Sequence, residues 1–145
     1  VKYALLKSGI GGDVIFDFDQ SVSFEGASGP YLQYTYARTV GVSSKAQEKI
    51  TGIVLPESDL NQEELGVLKH IAKYAETVTR AAAQKAPNVM ADYLFDLAQK
   101  YNVFYNKHQI LGAGNEKFRL GLNVAVGQVI RTGLGLLGIE AVEKM

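Results

Sequence analysis

Tyr31, Tyr34, Tyr36 and Arg38 fall within eight residues, directly after a Gly29-Pro30 break. Tyrosine rings and guanidinium groups are the side chains that stack on unpaired nucleobases, and a guanidinium also donates to base edges. At helical spacing Tyr31, Tyr34 and Arg38 (i, i+3, i+7) share one stripe. Leu32, Tyr36 and Val40 (i, i+4, i+8) form a second, apolar stripe. One face of such a helix packs while the other meets a ligand. A helical tyrosine also packs half-buried with its hydroxyl at the surface, so the residues alone leave packing and base stacking both open. Tyr105, near the end of a later apolar stripe, is a further aromatic candidate of the same kind.

Other constellations carry less. A carboxylate pair such as Asp17 and Asp19 can bind a cation or move a proton. Alternating with Phe16 and Phe18, the two read instead as a helix cap beside packing anchors. His70 and His108 stand apart, and with no cysteine in the chain no metal site is expected. Gly133-Leu134-Gly135-Leu136-Leu137-Gly138 spells G-x-G-x-x-G, but a helix precedes it where a dinucleotide fold needs a strand. It reads as a glycine-rich helix end. Neither a nucleophile elbow nor a phosphate-binding Gly-Lys-Ser/Thr loop occurs.

The elements that must position these residues are helical. Residues 1–7 read as a helix end, broken by the glycines of residues 8–12. Residues 14–24 read as a connector with one helical turn begun at Asp17 or Asp19. The first main helix spans 31–48, entered through Pro30. After a loop at 50–60, a second helix starts near Asp59 or Asn61, where Asn61 and Glu64 have capping-box spacing. Leu65, Leu68, Ile71, Ala75, Val78 and Ala82 give it an apolar stripe that Pro87 ends. Asn88 is expected to cap a third helix carrying Met90, Leu94, Leu97, Tyr101 and Phe104. Residues 108–115 form a loop, and a fourth helix spans 116–137. Its glycines cost up to ~1 kcal/mol each relative to alanine, and they allow close helix packing. The tail from Gly138 is expected to be extended. The fold class is all-α, an antiparallel bundle of four or more helices.

The 145 residues suit one domain. With 15 basic and 15 acidic groups the net charge is zero, which argues against a large electrostatic nucleic-acid binder. The balance is local, however. Residues 51–100 carry five basic and seven acidic groups, and residues 101–145 carry five and three. No apolar run reaches the ~18 residues of a membrane span, and no signal peptide is expected. The lack of cysteine is compatible with the cytoplasm. The chain opens on Val1 inside an apolar pattern, as expected of a fragment of a longer protein.

As strings, these segments resemble the C-terminal anticodon-binding (DALR-type) domain of arginyl-tRNA synthetases. KYALL with GDVIFDFDQSVSFEG is similar to the junction from the catalytic domain. GPYLQYTYAR is similar to the start of the first domain helix, YLFDLAQKYNVFY to the central helix and LLGIEAVEKM to the C-terminus. The tail departs from the family pattern at Val142 and Lys144. The resemblance implies a linker from a missing catalytic domain at 1–25 and an anticodon-binding domain at 26–145. It implies a cytoplasmic arginine–tRNA ligase whose ATP and Mg sites lie in that catalytic domain. The family's His-Ile-Gly-His and Lys-Met-Ser-Lys motifs do not occur here, so the chain should bind without catalysing. The implied partners are tRNA(Arg), through its anticodon stem-loop, and the catalytic domain, with neither membrane nor DNA. Every arginine codon has G in the middle, so the anticodon has C there. Family anticodon contacts carry over to Tyr31, Tyr34, Arg38, Tyr105 and Met145. Lys107, Lys117, Arg119 and Arg131 are candidates for phosphate contacts or for solvated surface charge. Two rival readings are a helical protein-interaction module and the anticodon domain of a related synthetase such as cysteinyl.

Overall fold

A glycine-proline entry and a serine cap start the helix that carries the tyrosines. In the computed structural model, which describes residues 1–9, 11–12, 16–52 and 54–145, the Ser28 hydroxyl accepts from the backbone of Tyr31 at 3.2 Å. Pro30 sits in the first turn, where its missing N–H costs nothing. The described residues hold seven helices and no strand. These are α1 (Lys2–Leu6), α2 (Phe18–Val22), α3 (Gly29–Lys45), α4 (Gln62–Ala72), α5 (Tyr74–Gln84), α6 (Pro87–Lys107) and α7 (Glu116–Leu136). The all-α bundle is as expected. Ile10 of the expected glycine break, Val14 and Ile15 of the expected connector, Asp13 of the quoted junction and Ile53 of the expected loop lie outside the described residues.

Asp17 caps α2, its carboxylate accepting from the Gln20 N–H at 3.1 Å. Asn61 and Glu64 form the reciprocal capping box at the start of α4. The expected second helix is two helices. Lys73 adopts φ −82° and ψ −2°, and its N–H bonds back three residues to the His70 carbonyl. That tighter turn breaks the ladder and re-aims α5. The expected stripe shifts with it. Leu65 and Leu68 remain 37% and 39% exposed, because α4 turns Glu64 and Val67 inward instead. Asn88 is not a cap either. Ala86 holds the N-cap position of α6 without a side-chain bond, and Pro87 opens the helix.

The core lies where α3, α6 and α7 meet, with α4 and α5 packed on α6. Leu32, Leu94, Leu97, Tyr101, Phe104, Val126, Ile130 and Leu134 are fully buried there. Two glycines of α7 make the contact possible. A methyl group on Gly127 would come within 2.5 Å of Thr39 Oγ1, and one on Gly133 within 2.6 Å of Leu94 Cδ2. Among the described residues the buried polar side chains are paired. Tyr101 donates to Asn123 Oδ1 at 2.6 Å, and Asn123 Nδ2 donates to the Thr39 carbonyl and Ser43 Oγ, both at 3.0 Å.

After α7, Gly138 takes φ +65° and the Ile139 N–H returns to the Leu134 carbonyl at 2.9 Å, a glycine-closed helix end. The tail then runs without helix. Gln33 of α3 donates to the Glu140 carbonyl at 2.7 Å, which anchors the tail beside the tyrosine-bearing helix.

Candidate nucleic-acid interface

One turn of α3 separates Tyr34 from Arg38, and both project on the face opposite the buried Leu32, Tyr36 and Thr39. Tyr105 reaches the same place from the last turn of α6. The Arg38 guanidinium carbon lies 4.9 Å from the Tyr34 ring centre and 4.6 Å from that of Tyr105. Both distances are within cation–π range. The two rings remain 41% and 38% exposed, so aromatic surface is left for a ligand. Phe24 supports Tyr34 edge-on, with centroids 6.2 Å apart.

These three residues line a groove of about 790 Å³. Ala37, Gly41, Val42 and Lys45 continue its α3 wall. His108 to Leu111 form the opposite wall, and Glu143, Lys144 and Met145 close one side. The groove lining therefore combines two aromatic rings, a guanidinium, two lysines, an imidazole, the single carboxylate of Glu143 and several apolar side chains. That composition suits a splayed base with its phosphate better than a compact polar metabolite.

The wall at residues 108–111 is held by the Lys107–Glu63 ion pair beside it and by hydrogen bonds to His108 and Gln109. Glu63 of α4 accepts from Lys107 Nζ at 2.7 Å and pairs with His108 Nε2 at 3.1 Å. Hydrogen bonds from Lys107, and then from His108, pull the Glu63 carboxyl from an ordinary 4.5 down to about 2. Arg119 reaches from α7 to Glu64 at 2.7 Å and to the Gln109 carbonyl at 2.8 Å.

The structure brings Tyr34, Arg38, Tyr105 and Met145 to one groove. Tyr31 stands behind it. Its ring packs on Phe95 at 5.6 Å, and its hydroxyl accepts from Asn102 at 2.9 Å. The basic candidates divide. Arg119 is mostly buried against Glu64. Lys107 and Lys117 are exposed in pairs with Glu63 and Glu48. Arg131 lines a separate groove between α3 and α7. Lys45 and Lys144 also line the groove, as does His108, which the sequence raises only as a metal-ligand type, and residue type alone gives no sign of a binding role for Lys45 or Asn102. Asparagine is a poor helix former, so Asn102 inside an apolar helix is itself a signal that its side chain has a partner.

Residues 32–145 match the DALR anticodon binding domain family. All of the chain aligns with the arginine–tRNA ligases of Bacteroides thetaiotaomicron, at 39% identity, and Phocaeicola vulgatus, also at 39%. It spans 25% of the length of each. The Thermus thermophilus arginyl-tRNA synthetase superposes over 99% of this chain and 26% of its own, with TM-score 0.89 and 32% identity. With a helical bundle, an aromatic groove and relatives of this kind, the chain belongs to the DALR anticodon-binding domain family.

Proposed function

We propose that this domain reads the anticodon of tRNA(Arg) within an arginine–tRNA ligase. The observation that carries the reading is the Arg38 guanidinium flanked by Tyr34 and Tyr105 on an open groove. Loop bases splayed from an anticodon stack on the exposed tyrosine faces, and the guanidinium donates to a base edge. Cytosine presents adjacent N3 and O2 acceptors to such a donor. Uracil presents an N3–H in the same place and repels it. Met145 contributes apolar contact at the rim. Lys107 and Lys117 serve phosphates by exchanging their carboxylate partners, Arg131 does so from its own groove, and Arg119 supports the wall.

Residues 1–25 act as the linker from the catalytic domain and residues 26–145 as the binding unit. Phe16, Phe18, Val22 and Phe24 are 44–63% exposed, an apolar surface that suits cover by that domain. Attachment of arginine, with its ATP and Mg requirement, belongs to the catalytic domain in the cytoplasm, and the bound anticodon orients the tRNA toward it.

The test is binding of the 145-residue chain to an arginine anticodon stem-loop and to one with the middle cytosine replaced, at two salt concentrations. A loss of at least ~1 kcal/mol on replacement supports anticodon reading. Equal binding to both loops overturns it.

A further inference from the structure

We propose that Asn102 is the positioning residue for Arg38 and that its carboxamide sets the selectivity of the groove. The inference rests on the reading of that groove as a base-binding site. Asn102 lies on α6, one turn before Tyr105. Its Oδ1 accepts from Arg38 Nη1. Its Nδ2 donates to the Tyr31 hydroxyl at 2.9 Å and to Thr35 Oγ1 at 3.1 Å.

The orientation of this amide is fixed by its neighbours. The Thr35 hydroxyl proton is committed to the Tyr31 carbonyl at 2.8 Å, so Thr35 Oγ1 can only accept from Asn102. Thr35 is fully buried and has no water to turn to. Rotating the carboxamide would leave Oδ1 facing an oxygen whose proton is already spent. It would also set the NH2 group against the guanidinium, donor against cation. The oxygen therefore stays toward Arg38.

Arg38 is then held on three sides. Asn102 fixes Nη1, the two tyrosine rings flank the guanidinium, and Nη2 approaches the Tyr34 hydroxyl at 3.4 Å. A guanidinium carries only donors. Fixed in place, its remaining N–H groups demand acceptors and reject an N–H. Free to rotate, it would no longer hold those N–H groups on the cytosine acceptors, and the preference would fall through the cytosine loop alone. Tyr31, which does not line the groove, acts through Asn102.

The test compares wild type, Asn102→Leu and Asn102→Asp in the 145-residue chain, with folding checked by circular dichroism. Two stem-loops differ only in cytosine or uracil at the middle loop position. The Asn102→Leu variant should lose about tenfold in cytosine-over-uracil preference, with uracil-loop affinity unchanged. The aspartate keeps the acceptor for Arg38, its second oxygen can accept from the Tyr31 hydroxyl in place of the lost amide donor, and it should keep the preference within about twofold. A second readout needs no RNA. Nitrogen-15 NMR should show slow guanidinium rotation at Arg38 in wild type and the aspartate variant, and fast rotation in the leucine variant. Fast rotation in wild type overturns the proposal, as does a folded leucine variant with rotation and preference intact. If the aspartate variant loses both, the proposal also fails. If wild type binds neither loop, the base-binding reading fails, and the NMR comparison still decides whether Asn102 holds Arg38.

Discussion

The guanidinium carbon of Arg38, on α3, lies 4.6 Å from the ring centre of Tyr105, on α6. The two residues are far apart in the chain, and only the packing of α3 on α6 unites them. The ring is 38% exposed, so the fold does not depend on its burial. Tyr105→Ala should therefore weaken stem-loop binding by about 1–3 kcal/mol and shift the urea midpoint little. A titration by fluorescence anisotropy, beside a denaturation curve, checks both halves. Equal losses in binding and stability would assign the ring to packing.

The basic residues should separate by burial. Glu64 is 1% exposed and Arg119 supplies its charge partner. Arg119→Ala strands a buried carboxylate, and removing one partner of such a pair costs about 3–5 kcal/mol. Lys117 and Glu48 are both largely solvated, so Lys117→Ala should change stability by less than ~1 kcal/mol. Urea unfolding of the two variants measures the contrast, and similar midpoints would refute it.

The same contrast explains what the chain discloses before folding. The stripe of Tyr34 and Arg38 is local, set by helical spacing alone, and the capping box of Asn61 and Glu64 is a four-residue signal. The capping box is as expected, and so are Tyr34 and Arg38, but Tyr31 of the same expected stripe packs on Phe95 behind the groove. The partner of Arg38 across the groove is not local, since Tyr105 and Asn102 approach it only when α3 packs on α6. The break at Lys73 escapes notice because no proline or glycine marks it, and an apolar stripe continues through it. The inward turn of Glu64 is equally hidden. A glutamate in a first turn reads as a cap, and Arg119 draws it inside from 55 residues away.

Acid should release one wall of the groove. Hydrogen bonds from Lys107 and His108 hold the folded Glu63 carboxyl at about 2, below its ordinary 4.5. A carboxyl depressed in this way stabilises the fold above its unfolded value, and the contribution disappears as pH falls from about 4.5 through about 2. Glu63→Gln should be less stable than wild type at neutral pH, and the difference should shrink across that window. Thermal denaturation at a series of pH values, taken as wild type minus variant, isolates this group from other carboxylates. A difference constant with pH would show that the pair contributes nothing through ionisation.

Two glycines of α7 should respond to alanine with opposite sign. Gly135 has nothing within 4 Å of where a methyl group would sit, so alanine there adds only helix propensity, up to ~1 kcal/mol of stability. Gly127 faces Thr39, whose Oγ1 and Cβ would lie 2.5 and 3.2 Å from the new carbon. Thr39 cannot swing aside freely. Its hydroxyl donates to the Tyr36 carbonyl at 2.7 Å, and its own carbonyl accepts from Asn123 at 3.0 Å. Alanine at 127 must push α7 from α3, and overpacking of this kind costs about 1–3 kcal/mol, more than the propensity gain returns. Because α3 carries Tyr34 and Arg38 while α6 carries Tyr105, that displacement should also weaken stem-loop binding, whereas Gly135→Ala should leave binding unchanged. Melting temperatures and anisotropy titrations of the two variants test the sign in each case, and a stabilised Gly127→Ala would show that the α3–α7 contact is looser than its geometry implies.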